Sequence, residues 1–118
     1  MAGDVVHYEI SATDVERAKN FWSGVFGWEF GPSMSEDFDY RMARISEGSG
    51  AALTGGEPGH PNVYLDVADI DASMAKVQEL GGEAGDKQPV PGHGWFAPCK
   101  DSEGNAFSLW QGDASAGS

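Results

Sequence analysis

His7 and Glu9 are the first residues whose types and spacing could do chemistry. In the alternating segment VVHYEI, residues 5–10, both project to one side of a strand while apolar side chains project to the other. A neutral imidazole can ligate a metal, act as a general base near pH 7, alone or with Glu9, or hydrogen-bond a ligand in a pocket. The sequence does not choose among these roles, so His7 and Glu9 are candidate catalytic residues with no role assigned.

A second segment with the same alternation is NVYLDV, residues 62–67. Asn62, Tyr64 and Asp66 share one face, opposite three aliphatic side chains. A face of this polarity is costly to bury unless it lines a hydrated cleft or a ligand site. We therefore expect both segments to contribute to one cleft.

Aromatic residues extend this expected cleft. Alternation along AFSLWQ, residues 106–111, turns Ser108 and Trp110 toward the cleft, and Trp95 with Phe96 borders it from GHGWFAP. Aromatic rings suit planar or hydrophobic ligands, each pair adding roughly 0.5–1.5 kcal/mol beyond burial. By the same alternation one of Arg41 and Arg44 faces the cleft, where it can contact an anionic ligand group. The expected ligand-binding residues are His7, Glu9, Asn62, Tyr64, Asp66, Trp95, Ser108 and Trp110.

An internal repeat indicates how these residues are positioned. DVERAKNFWSGVFG begins at Asp14 and DIDASMAKVQELGG at Asp69, an offset of 69 − 14 = 55 residues, close to half the chain. Both segments have helical apolar periodicity. Thr13 with Glu16 has capping-box spacing in the first, Asp69 caps the second, and glycines at 27 and 81–82 end them.

Strands surround each predicted helix. WEFG, YRMARI and GAALTG follow the first, and GEAGDK, GWFAPC and AFSLWQ follow the second. We expect one domain over residues 1–112, built from modules 1–56 and 60–112, with a flexible tail at 113–118.

Composition excludes several function classes. A net charge of −12 disfavours nucleic acid and anionic membrane surfaces as partners of this acidic protein. No apolar run is long enough to span a membrane, and the N-terminus has no secretory pattern. The single cysteine, Cys99, fits a reducing cytoplasm, and we expect a structural thiol.

Three segments resemble the vicinal oxygen chelate superfamily, the glyoxalase, bleomycin-resistance and dioxygenase group. They are HYEISATDVERAKNFWSGVFGWEF, VYLDVADIDASMAKVQELGG and GHGWFAPCKDSEGNAFSLWQ, which together cover most of the chain. The resemblance implies an α+β fold in which two βαβββ modules form an open, curled mixed sheet around a cleft. It also implies a homodimer, in which each cleft can borrow residues from the partner.

The resemblance further implies four positions that face a divalent metal, such as Zn, Mn, Ni or Fe, in metalloenzymes of the superfamily. They fall at His7, Asn62, Ser108 and near Ala52 or Leu53. Only His7 is a normal ligand, whereas a catalytic zinc has about three protein ligands. We expect no metal, with His7 as the ligand if one binds.

Another metal site would combine His7, Glu9 and Asp66 with a loop histidine, His60 or His93. In our preferred interpretation, the two loop histidines are exposed, and the carboxylates hydrogen-bond solvent or backbone groups.

Three functions follow. We favour a metal-free small-molecule-binding protein, similar to the antibiotic-sequestering members, with a planar or hydrophobic ligand in an aromatic cleft. The alternative is a metal-dependent glyoxalase-like lyase, isomerase or dioxygenase. A third is a metal-free lyase or hydrolase that uses His7 and Glu9. Whether the protein is an enzyme stays open, because one fold hosts all three.

Overall fold

The structure is a computed structural model that describes residues 3–117. Its contacts divide the chain into two compact units. The first half comprises Val6–Asn62, and the second half comprises residues 63–117 together with residues 3–5. The division falls close to the predicted junction between modules, and the assignment of both to one domain stays a prediction.

The first half contains one helix and three strands. In chain order they are β1 (Val5–Ala12), α1 (Val15–Phe26), β2 (Tyr40–Ser46) and β3 (Ser49–Gly55). The strand order is β2-β3-β1, with β3 antiparallel to β2 and parallel to β1. Small side chains make this sheet close-packed, since Ala51, Ala52 and Leu53 of β3 are fully buried.

Local signals define both ends of α1. Asp14, not the predicted Thr13, is the N-cap, and its carboxylate accepts a 3.0 Å hydrogen bond from the backbone N–H of Arg17. Gly27 ends the helix as predicted, at φ 75°, where its N–H bonds the carbonyl of Ser23.

The predicted strand WEFG does not form, so the first half is βαββ and not βαβββ. Trp28 instead stacks on Trp22 of α1, with ring centroids 5.2 Å apart and planes 9° apart. Within WEFG, the backbone bond to β2 is the one that the Gly31 N–H donates to the Met42 carbonyl, and the next residue, Pro32, has no N–H to donate. We call the rings that gather here the aromatic cluster: Phe21, Trp22, Phe26, Trp28 and Phe30.

The second half contains one helix and five strands. They are β4 (Asn62–Asp66), α2 (Ile70–Glu79), β5 (Glu83–Ala84), β6 (Gln88–Val90), β7 (Gly94–Lys100) and β8 (Ala106–Gly112). The strand order is β4-β8-β7-β5, with β6 also paired to β7. The predicted strand GEAGDK is reduced to the two residues of β5, and β6 begins just beyond it.

The core of the second half lies between α2 and the sheet. Asp69 caps α2 as predicted, accepting from the N–H of Ala72. Ile70, Ala97 and Leu109 are buried together, and Phe107 packs against them. Phe107 and Leu109 therefore lie on the face of β8 that alternation predicted to be apolar. Burying a side chain of the size of Ile70 contributes about 1.5–3 kcal/mol.

Residues 113–117 are packed against the chain, in contrast to the flexible tail that we expected. Ala116 is only 2% exposed, and its carbonyl accepts from the N–H of Gly92. The Asp113 carboxylate accepts from the N–H and hydroxyl of Ser115 and from the Trp95 indole. Ser118 lies outside the described residues.

The fold class is therefore the predicted one: α+β, glyoxalase-like, with mixed and unclosed sheets. The helices within residues 3–117, α1 and α2, are both too short and too polar to cross a membrane.

Candidate functional site

Tyr40 links the two candidate catalytic residues of the first half. Its hydroxyl lies 2.9 Å from Nε2 of His7 and donates a 2.8 Å hydrogen bond to Oε2 of Glu9. All three side chains are half-buried. Phe38 contacts the Tyr40 ring edge-on, with centroids 6.1 Å apart. The structure thus joins His7 and Glu9 through a residue that sequence reasoning missed.

These bonds define the protonation of His7. The single hydroxyl proton of Tyr40 goes to Glu9, so the same oxygen can only accept from His7. Nε2 of His7 therefore carries a proton. Burial lowers the pKa of His7, and the nearby Glu9 carboxylate partly opposes that shift. His7 is thus a neutral imidazole at neutral pH.

Strand register explains how this group assembles. His7 pairs with Gly50 and Glu9 with Ala52 across β1 and β3. Met42 and Arg44 of β2 continue these two rows, and Tyr40 lies one row further along. Because directly paired residues share a face, all of these side chains lie on one polar face. The small side chains of β3 leave room for Tyr40 to lean across the sheet.

Arg41 lies on the opposite face and serves a structural purpose. Its guanidinium bonds Asp39 at 2.9 Å and Glu16 of α1 at 2.6 Å. Of the two arginines predicted to alternate, Arg44 is therefore the one that shares the face of His7.

The second half carries its own polar face on β4 and β8. Tyr64 pairs with Ser108 and Asp66 with Trp110, which brings four predicted cleft residues together. Ser108 is 1% exposed. Phe96 of β7 pairs with Trp110 and contacts the Tyr64 ring, with centroids 6.2 Å apart.

Trp95 requires a correction. Its side chain packs against the core beside α2, on the face opposite Phe96. The indole N–H donates to Asp113, and Nζ of Lys87 lies 4.5 Å from the ring centroid. Of the two adjacent aromatic residues that we expected to border the cleft, Phe96 is the one that lies on the polar face.

The remaining candidates are spread along the chain. Asn62 begins β4 and is half-buried, whereas His60 and His93 are exposed. Cys99 is buried, and its thiol donates to the carbonyl of Ala97, as a structural thiol would. Burial raises the pKa of this thiol.

The donor set at the four family metal positions does not fit a divalent metal. It consists of an imidazole whose Nε2 is bonded to Tyr40, an amide (Asn62), a buried hydroxyl (Ser108) and a methyl group (Ala52). Within residues 3–117, no three His, Cys, Asp or Glu side chains are grouped so that they could hold a metal ion. Metal independence itself stays a prediction.

Register is the signal that could have identified Tyr40 and distinguished Phe96 from Trp95. Tyr40 shares the alternation of Met42 and Arg44 in YRMARI, so it belongs to the face of Arg44. Phe96 shares the alternation of Pro98, whereas Trp95 shares that of the apolar Ala97 and Cys99.

Comparisons with known proteins agree with this architecture. The family model described as "Glyoxalase-like domain" matches residues 7–110. A curated relative from Mycobacterium bovis, named "Putative glyoxylase CFP32", is 30% identical over 121 residues. That match covers 92% of this chain but 46% of the relative, so the chain spans about half the length of the curated relatives it matches.

Two solved structures show the same fold. A hypothetical protein from Bacillus halodurans superposes with a TM-score of 0.73 at 17% identity, over all of both chains. Methylmalonyl-CoA epimerase from Mycobacterium tuberculosis superposes with a TM-score of 0.70 at 13% identity, covering 94% of this chain and 88% of that one. Identities this low speak for the fold alone. The match over residues 7–110 shows that the chain belongs to the glyoxalase-like domain family, within the vicinal oxygen chelate superfamily.

Proposed function

We propose that this protein binds a planar or hydrophobic small molecule on the polar face around His7, without a resident metal, and sequesters it. The observation that carries the proposal is the His7–Tyr40–Glu9 hydrogen-bond chain. Among the four family metal positions, only His7 is a normal metal ligand, and its Nε2 atom is hydrogen-bonded to Tyr40. The imidazole therefore serves as a fixed polar contact and not as a metal ligand.

Metal content tests the metal-free part of this proposal. Untagged protein is saturated in turn with zinc, manganese, nickel and iron, desalted, and measured by elemental mass spectrometry. His7→Ala is compared with His60→Ala, because His60 is an exposed loop histidine. We expect no stoichiometric metal in any protein. About one metal per chain that disappears only in His7→Ala would overturn the proposal in favour of the metal-dependent enzymes of the superfamily.

The ligand-binding part of the proposal is tested by nuclear magnetic resonance, with 1-naphthylacetamide as a neutral planar probe. We expect it to shift the amide resonances of Gly50 and His7, which pair across β1 and β3. An unchanged spectrum at saturating probe would contradict binding at this face.

The same hydrogen-bond chain supports a second candidate, a metal-free enzyme that transfers a proton. A neutral His7 that carries its proton on Nε2 has Nδ1 as its unprotonated ring nitrogen. Protonation there creates an imidazolium, which Tyr40 and the Glu9 carboxylate stabilise through their bonds. The name of the curated relative, "Putative glyoxylase CFP32", is the name of an enzyme. Turnover of a bound ligand that is lost in His7→Gln would favour this candidate.

We also propose a homodimer that covers part of the aromatic cluster. Phe21 and Phe26 are each 58% exposed, and residues 20–28 carry no charge in a chain of net charge −12. Contact at this segment therefore brings no like charges together, and an exposed apolar patch of this kind marks an interface. A monomeric mass by light scattering would contradict the dimer, and Phe26→Ser should weaken it. The buried, unpaired Cys99 supports a reducing cytoplasm as the location.

A further inference from the structure

Arg44 lies in the same row of the sheet as His7. Gly50 of β3 pairs with Arg44 on one side and with His7 on the other, so the three residues cross the sheet on one face. The backbones of Arg44 and His7 lie two strand spacings apart, about 10 Å. Gly50 has no side chain, so no side chain of β3 stands between the guanidinium and the imidazole.

The guanidinium of Arg44 is exposed and not neutralised by the protein. No carboxylate within residues 3–117 forms an ion pair with it, whereas Arg41 on the other face is paired with Asp39 and Glu16. The guanidinium of an unpaired arginine is a planar group of hydrogen-bond donors whose geometry suits a carboxylate.

The surroundings of Arg44 suit an apolar molecule with one anionic group. Arg44, Met42 and Gly50 line a depression of about 390 Å³ together with Val6, Ala43 and residues 46–49, and this volume is within the usual range for small-molecule sites. Met42 is 41% exposed and supplies apolar contact. Glu47 lines the same depression without forming an ion pair with Arg44, and a polyanion would be repelled by the acidic chain.

We propose that Arg44 binds the carboxylate of the ligand, and that the ligand is a planar or apolar monocarboxylic acid and not a coenzyme A ester. This inference rests on the proposed function, since it names the ligand class of the same face. The carboxylate meets Arg44 while the apolar body lies over Gly50 toward His7. Coenzyme A carries several phosphate charges, which this face does not neutralise.

Matched probes test the role of Arg44. 1-Naphthylacetate and 1-naphthylacetamide share one skeleton and differ in charge, and their affinities are measured by calorimetry for wild type and Arg44→Gln. We expect Arg44→Gln to weaken naphthylacetate about tenfold and to change naphthylacetamide less than about twofold. Arg17→Gln on α1 is the control, because it removes the same charge away from this face. Arg44→Lys keeps the charge without the fork, and we expect an intermediate affinity.

The outcomes separate the two proposals. Equal losses for both probes, or an equal effect of Arg17→Gln, would overturn the role of Arg44 and leave binding at the His7 face intact. Failure of both probes to shift the Gly50 and His7 resonances would contradict the proposed function itself. Methylmalonyl-CoA serves as a third probe, and tighter binding of it than of naphthylacetate would overturn the monocarboxylate class.

Discussion

Removing the hydroxyl of Tyr40 should uncouple His7 from Glu9. Tyr40→Phe keeps the ring beside Phe38 and deletes the 2.9 Å and 2.8 Å bonds of the hydroxyl. A neutral hydrogen bond contributes about 0.5–1.5 kcal/mol and one to a charged group about 1.5–3 kcal/mol. Because all three side chains are half-buried, we take the lower part of that sum and expect a loss of about 2 kcal/mol in the free energy of unfolding.

Urea denaturation followed by circular dichroism measures this loss. With a slope of about 1–3 kcal/mol per molar urea, the midpoint should fall by roughly 1 M. Tyr8→Phe is the matched control, because Tyr8 lies on the opposite side of β1 and its hydroxyl bonds none of residues 3–117. We expect that control to change stability by less than about 0.5 kcal/mol.

The histidine tautomer gives a second readout that general destabilisation does not affect. Nitrogen chemical shifts of the His7 ring should show one tautomer, protonated at Nε2, in the wild type. In Tyr40→Phe we expect a mixture of both tautomers. If the two tyrosine variants lose equal stability, or if the His7 tautomer is the same in both, Tyr40 does not fix the orientation and tautomer of His7.

Three further predictions concern single side chains. Burial lowers the pKa of His7 from 6.5, so the unfolded chain takes up this proton first, and stability should fall as the pH drops below about 6.5. His7→Asn should flatten that part of the pH dependence, and parallel curves for the two proteins would contradict the shift. Burial also raises the pKa of Cys99, so the folded protein should react with a disulfide reagent at least about tenfold more slowly than the urea-unfolded protein; equal rates would mean that the thiol is accessible. Gly94→Ala should destabilise the protein by about 1–3 kcal/mol, because its Cβ would lie 2.7 Å from the Trp110 ring. Gly48→Ala, where a Cβ meets nothing within 4 Å, is the control, and an equal effect of both would count against close packing at Gly94.

Signals confined to a few neighbouring residues predicted much of the fold. Asp69 and Gly27 act on the backbone of their own helix, so the cap and the stop could be read without knowing the rest of the chain. The β-propensity of WEFG was misleading because tertiary packing overrides it. Trp28 gains more by stacking on Trp22 than an edge strand interrupted at Pro32 would provide.

The site was harder to predict because it depends on pairing between distant strands. Tyr40 is 33 residues from His7 along the chain, and only the register of β2 on β3 places them on one face. In GWFAPC two large aromatic residues are adjacent, so alternation alone does not say which faces α2. The contacts of Ala97 and Cys99 with the core decide it, and they place Trp95 with them.

The tryptophans are divided equally between the halves, and this makes folding of each half separately observable. Trp22 and Trp28 belong to the first half, while Trp95 and Trp110 belong to the second. Replacing either pair with phenylalanine leaves a protein whose intrinsic fluorescence reports on one half alone. Coincident fluorescence transitions from the two proteins would show that the repeated modules unfold as one cooperative unit. Separate transitions would show that each copy of the duplicated module keeps a stability of its own.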